Sequence, residues 1–175
     1  MPLVELSFVW LLVVNIVAWG FFHIAVSYAM LKVPDHFFQK NLRLLRIGSW
    51  EREGEIWQSL TRVKKWKHIV PDGAKMFEGG FEKRELRDRS IGYFDNFITE
   101  SKRAEVTHWL SIFPAALFFL WNPLWAAWLM VVYALVINVP IIILQRFNRG
   151  RLLRVVRMKK RKRAKEGTYE HEQLR

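Results

Sequence analysis

Apolar residues fill this chain in two long blocks, with charged sequence between and after them. From Leu3 to Leu31 the strongly polar side chains are Glu5, Asn15 and His23. A helix of about 25 such residues crosses a hydrocarbon layer of roughly 30 Å. The second block starts near Val106, reaches Trp121, breaks at Asn122 and Pro123, and resumes from Leu124 to Leu144. A turn dipeptide between two apolar runs predicts a helical hairpin, so the pattern predicts three spans. The first arm of the hairpin is short and extends back through Ser101, with Lys102 and Arg103 snorkelling to the headgroups. No basic stretch or small-residue cleavage site flanks the first block, which argues for a retained span over a signal peptide.

The intervening sequence is amphipathic. In "FFQKNLRLLRIG", Phe38, Leu42 and Leu45 separate from Lys40, Arg43 and Arg46 on a helix that would lie in the interface plane. The pattern continues through Trp50, Trp57, Leu60 and Trp66, whereas Pro71 to Gly92 is rich in Gly and charge and reads as a loop. From Tyr93 a helical pattern runs into the second apolar block without a breaker, and no alternation of the strand type is visible. The expected fold is all-α: a polytopic membrane protein of about three transmembrane helices in a single domain over residues 1–175. Its parts are a first span (3–31), an amphipathic helical cytoplasmic segment (32–105), a hairpin (106–144) and a basic tail (145–175).

Charge supplies the orientation. The chain is 51% hydrophobic yet carries a net +12. Residues 32–105 hold 16 Lys and Arg against 12 Asp and Glu, and the tail from Gln145 holds 12 against 3. Both segments prefer the cytoplasmic face of a cell membrane, placing the N-terminus outside. A bilayer accounts for the basic run, so no nucleic-acid partner is expected. There is no cysteine, which removes disulfides, thiolate metal sites and thiol nucleophiles.

Two spacings carry candidate chemistry: His68 with Asp72, and Glu105 with His108. On one helix Glu105 and His108 share a face, whereas Pro71 works against a shared helix for the other pair. A carboxylate beside an imidazole fixes its tautomer and stabilises the imidazolium, as a general base requires. All four groups together would also satisfy zinc or iron. Lys64, Lys65, Lys67, Lys102 and Arg103 surround the pairs and suit a phosphorylated donor or lipid headgroups. Asn138 and Pro140 interrupt the last apolar run, and could orient polar groups inward or kink the helix.

The stretches "VPDHFF", "KKWKHIVPDG", "ESKRAEVTHW" and "NVPIIILQRFNRGRL" resemble the motifs of the glycosyl-4,4'-diaponeurosporenoate acyltransferase family, over about Pro34 to Leu153. The resemblance implies an O-acyltransferase of staphyloxanthin-type carotenoid synthesis. It would move a fatty acyl group from an activated donor, most simply acyl-CoA as co-substrate with no further cofactor, to a sugar hydroxyl of a glycosylated C30 carotenoid acid. In that chemistry His68 or His108 takes the hydroxyl proton, assisted by Asp72 or Glu105 respectively. Lys65, Lys67, Lys102 and Arg103 hold the donor phosphates, and Trp57, Trp66, Trp109 and Asn138 contact substrate. On the residues alone a metal-dependent membrane hydrolase or transferase, and a non-enzymatic scaffold for carotenoid enzymes, stay open.

Overall fold

The computed structural model describes residues 6–40, 42–70 and 90–173, with side chains placed as far as Glu166. Among these residues every regular element is helical. The chain forms two compact units, Met1–Lys40 with Arg103–Ile143, and Asn41–Lys102 with Leu144–Arg175.

In the first unit α1 (Phe8–Lys32) has neither a proline nor a charged side chain before its last residue. Its 25 residues extend about 37 Å at 1.5 Å per residue. Helix α6 (Leu124–Gln173) opens with an equally apolar stretch. By length and composition α1 and Leu124–Glu166 are able to cross a membrane. Their outward positions are apolar too, with Ile16, Phe21 and Ile24 on α1 and Trp125, Val132 and Val136 on α6 all exposed. Large apolar side chains on the outside suit hydrocarbon rather than water.

The third segment of this unit is composite. Helix α5 (Ile91–Ile112) gives way to a 3-10 segment, Phe113–Leu120, with Pro114 at its start. Proline has no N–H to donate and its ring crowds the carbonyl four residues back, so the α ladder ends there. A turn at Trp121–Pro123 then leads into α6. Trp19 of α1 stacks on Phe118 with ring centroids 4.6 Å apart, beside buried Ala115 and Ala134. The alanines leave room for these aromatic rings between neighbouring backbones.

Asn15 and Asn122 exchange two amide hydrogen bonds of 2.9 Å, and the Trp121 indole donates to the Asn15 oxygen at 2.8 Å. Beyond α1 lies α2 (Asp35–Gln39). The buried Arg103 guanidinium donates to the carbonyls of Met30 and Val33 at 2.7 and 2.6 Å, pairs with Asp35 and lies over the Phe38 ring. It thereby satisfies carbonyls that the end of α1 leaves over.

The second unit holds 3-10 turns at Arg43–Leu45 and Ser49–Gly54, then α3 (Glu55–Thr61) and α4 (Val63–Trp66). The single interfacial helix expected through "FFQKNLRLLRIG" is replaced by α2 and the first of these turns. Phe38 is held under Arg103, whereas Leu45 is buried in the other unit, so the two do not serve one helical stripe. Helix α6 passes Pro140 without ending and continues beyond Gln145 to Gln173. Leu152 and Val156 pack on Phe94, Phe97 and Ile98 of α5.

Arg52, Glu53 and Gly54 all have positive φ, at 47°, 56° and 90°. This left-handed turn lies against α6: a Cβ on Gly150 would sit 2.4 Å from the Glu53 carbonyl carbon and oxygen. Glu51, fully buried, accepts from the Gly48 N–H and the Trp57 indole at 2.8 Å each and from Arg146 Nε at 2.9 Å. Burial pushes its carboxyl upward, but the hydrogen bonds from Arg146, Gly48 and Trp57 and the Arg146 charge outweigh it. The net shift is below the usual glutamate range.

Gly150→Ala is therefore expected to lower the thermal midpoint in detergent by several degrees. Gly92→Ala, whose Cβ meets nothing within 4 Å, should leave it unchanged or raise it slightly. Glu51→Ala leaves Arg146 without its carboxylate, and loss of about 3–5 kcal/mol is expected for such a buried pair. Because folding lowers the Glu51 pKa, its contribution is full above the unfolded glutamate value and fades as pH falls through the folded one. Unfolding of the wild type followed from pH 7 to 3 should show that acid loss, and Glu51→Ala should flatten it.

Candidate active site

The helical continuity of α5 and α6 sets the first unit's polar constellation. His108 is half-buried on α5, and its Nδ1 lies 2.8 Å from Asn138 Oδ1 on α6. Asn138 is fully buried, and its Nδ2 donates to the Ala134 carbonyl at 2.9 Å. That second bond fixes which end of the amide faces the ring, because only the oxygen is left for histidine. Nδ1 therefore carries the proton that Asn138 accepts, and in the neutral ring the lone pair resides on Nε2. An imidazole so held has the orientation and tautomer of a general base. Glu105, one turn earlier on α5, is buried as well. The sequence suggested Glu105 as the orienting partner of His108; the structure shows Asn138 at Nδ1.

In the same unit, an open apolar groove of about 430 Å³ runs between α1 and the α5/3-10 segment. Val26 and Met30 line one side, and Leu110, Phe113 and Leu117 the other. Such a surface accepts hydrocarbon. Trp109, expected to contact substrate, is exposed on α5.

His68 lies in the second unit, exposed in the turn that follows α4, and Asp72 lies outside the described residues. Lys65 and Lys67 are exposed nearby in sequence. Trp57 is committed to Glu51, and the Trp66 indole donates to the Thr61 carbonyl at 2.8 Å. Lys102 is half-buried, and its ammonium is pushed below the ordinary lysine value first by burial and then by the charge of Arg149. Arg103, expected on donor phosphates, uses its guanidinium to close the end of α1. Among the described residues no three His, Asp or Glu side chains gather as metal ligands.

Arg149 escaped the sequence reading, which placed it in a basic tail facing anionic lipid. It is fully buried, with its Nη1 3.4 Å from Ser101 Oγ. The signal was its place on a helix continuing from Gln145, where the cations of a basic run do not all face one surface.

Residues 34–158 match the family described as glycosyl-4,4'-diaponeurosporenoate acyltransferase. The chain belongs to that family. The protein of that name from Staphylococcus aureus strain MRSA252 is 36% identical over 131 residues, covering 75% of this chain and 79% of the relative. Those of strains Newman and USA300 are 35% and 34% identical over the same shares. No solved structure matches. The glycosyl-4,4'-diaponeurosporenoate acyltransferase match spans His68, Glu105, His108 and Asn138, and it identifies an acyltransferase.

Asn138→Leu removes the acceptor from His108 Nδ1 while keeping similar bulk. In the wild type, ¹⁵N NMR of labelled histidine at high pH should show His108 as the Nδ1–H tautomer. In Asn138→Leu, a mixture with the Nε2–H tautomer should appear.

Proposed function

We propose that this acyltransferase moves a fatty acyl group from acyl-CoA to a sugar hydroxyl of a glycosylated C30 carotenoid acid; the names of its relatives, which carry glycosyl-4,4'-diaponeurosporenoate, support that class of acceptor. The observation that carries the mechanism is the His108–Asn138 pair, a base with an oriented ring, in the unit that also holds the apolar groove. His108 Nε2 takes the hydroxyl proton as the oxygen attacks the thioester carbonyl. The C–O bond forms, the C–S bond breaks, and the imidazolium returns its proton to the departing thiolate. The fatty chain or the polyene lies along the groove of Val26, Leu110 and Phe113.

The exposed Lys65 and Lys67, with Lys102, recruit the anionic donor. The depressed ammonium of Lys102 gains from an added phosphate, whose charge favours its protonated form. Glu105 supports the polar environment of His108 from the preceding turn.

The setting is the cell membrane, crossed three times with the N-terminus outside and the basic face in the cytoplasm. Ten α-helical residues from Arg103 and the eight of the 3-10 segment together rise about 31 Å, which supports a third crossing. The anionic cytoplasmic leaflet attracts the cations of α6 beyond Arg151.

Purified protein in nanodiscs, given acyl-CoA and the glycosylated carotenoid acid, should form an ester detectable by mass spectrometry. His108→Ala is expected to lower kcat by about 10²–10⁴, the range of a general base, with the fold retained. His68→Ala should lower it little. Full turnover by His108→Ala would remove the base assignment, and no ester from wild type would favour a scaffold that recruits carotenoid enzymes.

A further inference from the structure

His23 is the one histidine on α1, and its Nε2 is a buried atom with no hydrogen-bond partner among the described residues. A polar nitrogen enclosed in an apolar helix bundle is costly unless something pairs with it, and inside a membrane span it marks function. The ring is not loosely placed. It stacks on Trp19 at 5.3 Å with 26° between planes, and Trp19 is itself clamped by Phe118, by Tyr133 at 5.1 Å and by a 3.3 Å contact from its indole nitrogen to Met130 sulfur.

The register of the first unit shows what His23 shares its level with. Along α1 and the α5/3-10 segment, which run antiparallel, Met30 is tied to Arg103, Trp19 to Phe118 and Asn15 to Asn122. Helix α6 runs parallel to α1, with Trp19 against Met130 and Tyr133. Interpolating between these pegs, the His108–Asn138 pair lies about one helical turn beyond His23, an axial step of about 5 Å. Two imidazoles from different helices thus belong to levels one turn apart along the bundle axis, one with its Nδ1 fixed by Asn138, the other with an enclosed Nε2.

We infer that His23 is a positioning residue for the acceptor: its Nε2 pairs with one sugar hydroxyl while His108 activates a neighbouring one. A hydroxyl both donates and accepts, so it satisfies Nε2 in either tautomer of the neutral ring. A sugar ring carries hydroxyls on adjacent carbons and opposite edges, so it can present them to groups at successive levels of the bundle. His23 then selects which hydroxyl meets the base, and therefore which ester forms. The residue lies ahead of positions 34–158, so the inference concerns this chain rather than every member of the family. It rests on the acceptor assigned above.

The test uses the full chain in nanodiscs with the glycosylated carotenoid acid as probe, and it measures binding without donor separately from turnover. His23→Phe keeps an aromatic ring on Trp19 but deletes the nitrogen; His23→Gln restores a polar atom near the Nε2 position. The expected result is acceptor binding weakened about five- to tenfold in His23→Phe, as for loss of one hydrogen bond, and recovery to within about threefold in His23→Gln. The KM for acyl-CoA should not move, and the ester made by His23→Phe should be spread over more than one sugar position. Equal acceptor binding by wild type and His23→Phe overturns the inference, whatever the turnover. Wild-type binding that depends on His23 without any ester overturns acyl transfer alone, and no binding by wild type overturns both.

Discussion

A polar atom inside an apolar bundle must find a partner, and the first unit is organised by that constraint. Aliphatic surfaces slide past one another at little cost, since one methyl contact resembles the next. Amide and guanidinium groups do not, because displacement strands donors and acceptors where no water replaces them. Asn15 with Asn122, His108 with Asn138, and Arg103 with the end of α1 are three such fastenings at different heights. They set the register of the segments, and register in turn decides which side chains share a level with His108.

The same constraint shapes the second unit with charge in place of amide. Glu51 is buried completely and tolerated because Arg146, Trp57 and the Gly48 N–H meet it together. Around that knot the backbone turns through three left-handed residues and presses Glu53 on Gly150, an approach closed to any side chain. Further out, Arg154 and Arg157 pair with Glu53 and Glu55 at the surface, where such bonds contribute little. Arg146 is thus a fastener of α6, not one more cation for lipid.

In the proposed mechanism, a division of labour follows from where each group is held. Groups that must be oriented, His108 and Asn138, belong to long helices and are buried or half-buried. Exposed lysines at Lys65 and Lys67 remain long, mobile point charges suited to recruiting an anion. Arg103 looked equivalent to Lys102 as a neighbouring cation in the sequence. Its guanidinium matches the fork of two carbonyls and a carboxylate, and there it caps the end of α1.

Much of the fold was legible because hydrophobic runs and breakers act locally. The length of α1, the break at Asn122 and Pro123, and the helix through "FITESKRAEVTHW" depend on nearest neighbours along the chain. The paired E-x-x-H spacing placed Glu105 and His108 on one face for the same reason, and long motifs carried the family. What the sequence could not state is the partner of any group across helices. Asn138 is 30 residues from His108, and Arg146 is 95 from Glu51. Nothing in "NVP" or "QRF" names those partners. Composition likewise left Arg149 within a basic run assigned to the membrane surface, while the structure buries it in the second unit, where Leu152 and Val156 pack on α5. Thus the sequence alone determined an all-helical acyltransferase chain with apolar blocks and a basic face, since those follow from local hydropathy, charge and motif. Only the tertiary structure decided which histidine is held, by what, and at which level, because pairing in an apolar interior is settled by register between distant helices.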